Sequence, residues 1–186
     1  MNATTHYTPG GRSRLQRTPD ARNQPMKSRY TLFAAIAVIG IIIDQITKVA
    51  VDRSMKLFDS IPIVENFFHL TYVRNKGAAF SFLSNASWRL PFFITISIVA
   101  ALVILVAFRR LRDDQRLAHI SLAMIFSGAV GNLIDRVRLG EVIDFLDAHW
   151  YRHHWPAFNV ADSLICVGVF LLAIDMILED KRLKKG

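Results

Sequence analysis

Four carboxylates stand out for where the sequence puts them. Asp44, Asp135 and Asp162 interrupt long apolar runs, and Asp144 sits in the apolar stretch Val142-Ile143-Asp144-Phe145. A charge in a hydrocarbon setting is expensive unless it is paired, hydrated or used, so each is a candidate for chemistry. Two of the four have a cation close by: Lys48 follows Asp44 by one helical turn, and Arg136 adjoins Asp135. Asp144 and Asp162 have none in their helical neighbourhood. Two carboxyls held close cannot both ionise cheaply; one keeps its proton and the pair titrates as a unit. One member can then take a proton from water while the other donates to a carbonyl oxygen, which is acid–base hydrolysis. Any single pair would serve equally as a buried ion pair that fixes helix register, but the set as a whole is not accounted for that way.

Such chemistry needs the acids at one depth, and the surrounding sequence supplies elements to put them there. Of the 186 residues, 52% are hydrophobic, gathered in long blocks rather than at amphipathic spacing. The run from Pro91 to Phe108 has no charge on any face and nearly spans a hydrocarbon core of about 30 Å. Further lipid-compatible runs give an expected all-α membrane protein of four transmembrane helices, about 30–51, 89–108, 117–134 and 157–178. Asp44 then lies roughly 21 Å along the first helix, near its outer end. Asn132 and Asp135 close the third helix, and Asn159 and Asp162 open the fourth, so these groups meet at one level. Residues three or four apart are helix neighbours: Asn132, Asp135 and Arg136 share a face, as do Asn159 with Asp162, and Asp44 with Lys48.

The formal charge of +8 does not call for a nucleic-acid partner, because the basic residues flank the helices. Arg12, Arg14, Arg17, Arg22, Lys27 and Arg29 precede the first; Arg109, Arg110, Arg112 and Arg116 join the second to the third; Lys181, Arg182, Lys184 and Lys185 follow the last. Positive residues stay inside, so both termini are expected in the cytoplasm, with the acidic cluster near the extracytoplasmic face and anionic lipid headgroups as the basic residues' partners. Residues 1–26, poor in apolar side chains, are expected to be a disordered leader.

The first outer connection has strand-like segments, Ile61 to Val64, Phe67 to Val73 and Gly77 to Phe82, which predict a small extracytoplasmic β-sheet. The second, Phe145 to Trp155, mixes Trp150, Tyr151 and Trp155 with histidines and predicts a short interfacial helix. His149, His153 and His154 are a conceivable metal set, but no Cys or Glu set accompanies them and a surface role is the simpler reading. Cys166, the lone thiol, has no base nearby and is expected to pack among apolar neighbours. Neither a His-Glu-x-x-His zinc motif nor a Gly-x-Ser-x-Gly elbow occurs. A small transporter using the acids as ion sites is the main alternative; its polar residues should run the full membrane depth. Here the inner halves offer only His119 and Asp175, both expected at the interface.

Five blocks together resemble, in order and spacing, the lipoprotein signal peptidase (signal peptidase II) family: Asp44-Gln45-Ile46-Thr47-Lys48, Arg74-Asn75-Lys76-Gly77-Ala78-Ala79-Phe80, Gly131-Asn132-Leu133-Ile134-Asp135-Arg136, Val142-Ile143-Asp144-Phe145 and Phe158-Asn159-Val160-Ala161-Asp162-Ser163. The resemblance covers the chain from about Lys27 onward. It implies an aspartic endopeptidase that removes the signal peptide from diacylglyceryl-modified prolipoproteins, cutting before the lipidated cysteine without metal or cofactor. It implies Asp144 and Asp162 as the catalytic pair, Asn132, Asp135, Arg136 and Asn159 as a polar shell, and Asp44, Lys48 and Asn75 as further functional positions. The expected partners are these substrates and membrane lipids, with no nucleic acid and a monomeric enzyme.

Overall fold

The computed structural model describes residues 25–77 and 87–184. Among them, helices α1 (Pro25–Ser54), α2 (Arg89–Arg110), α3 (Arg116–Leu139) and α4 (Val160–Leu183) are long and apolar enough to cross a membrane. Strands β1 (Ser60–Val64) and β2 (Phe68–Asn75) lie between α1 and α2, and β3 (Val142–Trp150) and β4 (His153–His154) between α3 and α4. The leader up to residue 24, and Ala78 to Phe82 of the third strand-like segment, lie outside the described residues.

The buried seam of α1 explains how one helix serves three layers. Phe33, Ala37, Gly40, Asp44, Lys48 and Val51 are its buried positions, spaced three or four apart, so they form one stripe, which Met55 extends one residue past the helix end. Phe33 and Ala37 pack with Ile104 and Phe108 of α2 and Leu122 and Ala123 of α3 in an apolar inner core. Val51 and Met55 pack with Tyr72, Ile143 and Phe145 in a second core. Asp44 and Lys48 fall between the two. Helix α3 is central, packed on α1, α2 and α4. By contrast α2 turns Ile96, Val99, Leu102, Val103 and Val106 outward, as a lipid-facing helix should.

His119, in the first turn of α3, is 1% exposed and lies against the Phe108 ring at 5.3 Å, so the helix packing covers it.

The sheet has the order β1-β2-β3-β4, antiparallel throughout, so strands from the α1–α2 and α3–α4 connections join in one layer. This overturns the interfacial helix expected over Phe145 to Trp155, which is strand: β3 pairs with β2 on one side and turns back through Tyr151, at φ 52°, into β4. Composition alone misled there. Aromatic and histidine residues suit an interface in either conformation, and the deciding hydrogen bonds come from β2, far away in sequence.

Candidate functional site

Lys48 is the inner anchor of the polar layer. Its Nζ lies 2.9 Å from Asp44 Oδ2, 2.9 Å from Asp135 Oδ2 and 2.9 Å from Asn132 Oδ1, which uses all three ammonium donors. All three charged side chains are at most 1% exposed. Asp135, expected to be neutralised by Arg136, is neutralised by Lys48 instead. Arg136 donates to the Asn132 carbonyl at 3.3 Å and lies 5.3 Å over the Phe93 ring. Gln45, which the sequence reading did not single out, donates to Asp44 (3.2 Å), Asp135 (3.1 Å) and the Gly131 carbonyl (3.2 Å). Its place beside Asp44 in the first block was the available signal. The close approach requires glycine at 131, since a Cβ there would meet Asp44 Oδ2 at 2.5 Å.

From this anchor, amide side chains lead outward to Asp144 and Asp162. Asn132 Oδ1 accepts from Lys48, so its Nδ2 faces Asp162 Oδ1 at 2.8 Å. Asn159 is the N-cap of α4: its Oδ1 accepts from the Asp162 N–H at 2.9 Å, and Asp162 returns the bond to the Asn159 N–H at 3.3 Å, a capping box. With Oδ1 so engaged, Asn159 Nδ2 faces Asp144 Oδ1 at 2.7 Å. Asn75 repeats the device from β2. Its Oδ1 accepts from the Gly77 N–H at 2.7 Å, and its Nδ2 reaches Asp144 Oδ2 at 2.9 Å. Each amide thus has its oxygen held by a donor and its nitrogen aimed at an acid. Gly77 allows the turn because φ is +87°, and a Cβ would strike the Phe93 ring at 2.4 Å.

Asn75 is itself held in place by an ion pair at the end of α1. Arg74 reaches Asp52 at 2.9 Å and the Tyr72 hydroxyl at 2.9 Å, while that hydroxyl donates to Asp52. No local pattern marks these contacts, because Asp52 and Arg74 lie on different elements.

The nine candidate residues therefore form one cluster, with Asp144 and Asp162 joined through Asn159 and Asn132. Asp144 is 2% exposed. Burial pushes its carboxyl up to about 7, the Asn75 hydrogen bond opposes that rise, and the charge on Asp162 adds to it. Asp162 also lines a cavity of about 600 Å³ with Ala148, Trp155, Phe158, Ser163 and Cys166. The thiol expected to be packed is instead exposed there, one helical turn from Asp162.

Spanning helices that end in an amide-bridged pair of acids beside an apolar cavity define a membrane-embedded hydrolase built around carboxylates. Residues 36–178 match the family model described as Signal peptidase (SPase) II. Relatives include "Lipoprotein signal peptidase" of Geobacter metallireducens, 62% identical over 86% of this chain and 99% of that protein. Its counterpart in Geobacter sulfurreducens is 63% identical over 84% of this chain and 98% of that protein. A solved "Bacterial membrane enzyme structure by the in meso method at 2.3 A resolution" superposes with a TM-score of 0.70 at 36% identity, covering 80% of this chain and 88% of that one. The chain belongs to the signal peptidase II family of aspartic peptidases, which cleaves the signal peptides of prolipoproteins. It is a multi-pass bacterial membrane protease.

Proposed function

We propose that Asp144 and Asp162 are the catalytic pair, with the proton resting on Asp144 and the charge on Asp162. The observation that supports this most is the asymmetry of their settings. Asp144 is buried among amides, with its carboxyl near 7. Asp162 sits in the first turn of α4, where the helix N-terminus favours negative charge, and both its oxygens accept N–H donors. Asp162 then takes a proton from the attacking water, and Asp144 donates to the scissile carbonyl oxygen. Asn75, Asn132 and Asn159 orient the acids; Asp44, Lys48 and Asp135 lock Asn132 from behind. Arg136 lies close enough for Asp162, Asp144 and Asp135 to act on it electrostatically.

The cavity beside Asp162 is mostly apolar, rimmed by Trp155, and suits an acyl chain on the residue after the cut. The substrate is thus a diacylglyceryl-modified prolipoprotein entering sideways from the bilayer. Both termini face the cytoplasm, the acids lie near the extracytoplasmic face, and one chain without nucleic acid suffices, since all the groups named come from a single copy. A transporter reading fits less well, because the hydrogen-bonded acids cluster beneath the sheet instead of running through the membrane.

The test is to offer the purified protein a precursor with and without its diacylglyceryl group. Release of the signal peptide should be confined to the modified precursor; equal cleavage of both would remove the lipid from the argument. Reporter fusions at Gly186 and within Ser84 to Ser87 should report opposite compartments.

A further inference from the structure

The other face of the outer sheet carries a second cluster of functional groups. Side chains two apart on a strand share a face, and directly paired residues share it across strands. His69 pairs with Asp147, His149 follows Asp147 by two, and His149 pairs with His154. Three adjacent strands therefore present three imidazoles and one carboxylate side by side. Asp144, an odd number of residues from Asp147 on β3, belongs to the opposite face.

The groups are close as well as aligned. One donor atom each from His69, Asp147 and His149 lies within 4.8 Å of the others. The His69 ring meets the His149 ring edge-on at 4.3 Å, and the His154 ring stacks on it at 4.4 Å. His154 Nδ1 sits 3.0 and 3.1 Å from the two Asp147 oxygens. Ser60 Oγ, 3.2 Å from His69 Nδ1, steadies that ring from β1. The independent observation that points to a ligand is His149. Its side chain is 3% exposed, and Nδ1 is fully buried with no hydrogen-bond partner among the described residues, 3.7 Å from Asp147 Oδ1. A buried ring nitrogen left unpaired is costly, and a lone pair beside a carboxylate and a second imidazole is what a metal ion uses.

We propose that His69, Asp147 and His149 bind a divalent transition-metal ion, zinc foremost, with His154 completing the site. Three nitrogens and one carboxylate oxygen suit tetrahedral zinc. Zinc bonds of about 2.1 Å put tetrahedral donors roughly 3.4 Å apart, so the cluster must draw in slightly, which rotation of these side chains permits. His154, 53% exposed and held to Asp147 through Nδ1, has open space on its outer side in which the ring can turn toward the ion. His153 belongs to the other face and has no part in it, which corrects the grouping read from the sequence, as does the burial of His149. The ion would clamp β2, β3 and β4 together and so stiffen the strand that bears Asp144, without touching the reacting groups.

The experiment uses the full chain, purified in detergent without a polyhistidine tag, stripped with a chelator and then exchanged into chelator-free buffer. Zinc is titrated against a colorimetric zinc chelator, and cobalt is substituted to read ligand geometry from its visible spectrum. One equivalent per chain is expected, with intense tetrahedral cobalt bands and a thermal midpoint raised by several degrees. His149→Ala and Asp147→Ala should each weaken binding tenfold or more, while His153→Ala and Asp144→Asn leave it unchanged. If His149→Ala does not fold, His69→Gln and the exposed His154→Ala carry the same comparison, each weakening zinc. Absence of a stoichiometric equivalent, or binding that survives both His69→Gln and Asp147→Ala, overturns the proposal. Binding is the readout, so either result leaves the peptidase reading where it stands.

Discussion

Lys48 donates to Asn132 Oδ1 at 2.9 Å from a position only 1% exposed, and together with Asn159 Nδ2 at 3.1 Å it sets which end of the Asn132 amide faces Asp162. Only an oxygen can accept from an ammonium, so the nitrogen is left for the acid. The lysine is thus an orienting group, as well as the counter-charge of Asp44 and Asp135.

Lys48→Met separates these two parts. Removing the cation leaves two buried carboxylates without a counter-charge, which should destabilise the protein by about 3–5 kcal/mol. Adding Asp44→Asn and Asp135→Asn removes the stranded charges and should restore much of the thermal stability in detergent. Cleavage should stay below wild type in the triple variant, because Asn132 Oδ1 then keeps only the neutral Asn159 Nδ2 donor at 3.1 Å and has lost the ammonium. Full recovery of activity along with stability would show that Lys48 only balances charge.

The Asp144 proton makes activity depend on pH. The acid form is lost as pH rises through about 7, so kcat/KM should fall on the alkaline side with an apparent value near 7 that belongs to the pair. Stability follows the same proton. A folded-state value above the ordinary 3.8 means the native protein binds more protons across the interval, so stability declines as pH rises from about 4 to about 7. The Asn75 hydrogen bond opposes the rise. Asn75→Ala should therefore move the alkaline limb upward, by about one pH unit if the lost bond is worth about 1.5 kcal/mol. A limb that stays in place while the rate drops would remove Asn75 from contact with the titrating group.

How much of this was legible in the sequence depends on whether the signal is local. The shared faces of Asp44 with Lys48 and of Asn159 with Asp162 follow from spacing, and the four spanning helices follow from hydropathy. The partner of Asp135 does not: Arg136 is next in sequence, but adjacent helix positions point apart, and Lys48 arrives from another helix. The turn at Gly77 that aims Asn75 and the pairing of β3 with β2 depend on distant backbone in the same way. The exposure of Cys166 is also a packing result, because an apolar helical run does not reveal which of its faces borders a cavity.

That exposure changes what thiol reagents should do. The sulfur has no base to activate it, so Cys166→Ala should cleave at a near wild-type rate. It lines the cavity with Asp162, however, so a bulky maleimide on Cys166 should fill space the substrate needs and block cleavage. Inhibition should vanish in Cys166→Ala. Inhibition that persists there would locate the effect at some other group, and a fully active adduct would show that substrate does not use this cavity.

The strictest test is of the acids themselves. Asp144→Asn and Asp162→Asn keep side-chain size while removing a proton site, so each should reduce cleavage by at least a thousandfold with substrate binding largely intact. The losses should not add in the double variant, because the acids work as one proton-sharing unit. The two single variants should still differ in stability. Asp144→Asn replaces a buried carboxyl whose partners are amide N–H groups, and so sets one donor against another. Asp162→Asn retains an oxygen that can accept from Asn132 or from the Asn159 N–H, though not from both in the original geometry. A larger drop in thermal midpoint is therefore expected for Asp144→Asn, together with loss of the alkaline limb near 7. If either single variant cleaved the lipid-modified precursor at a rate close to wild type, the pair would have to be read as structural. The hydrolytic groups would then lie elsewhere in the cluster.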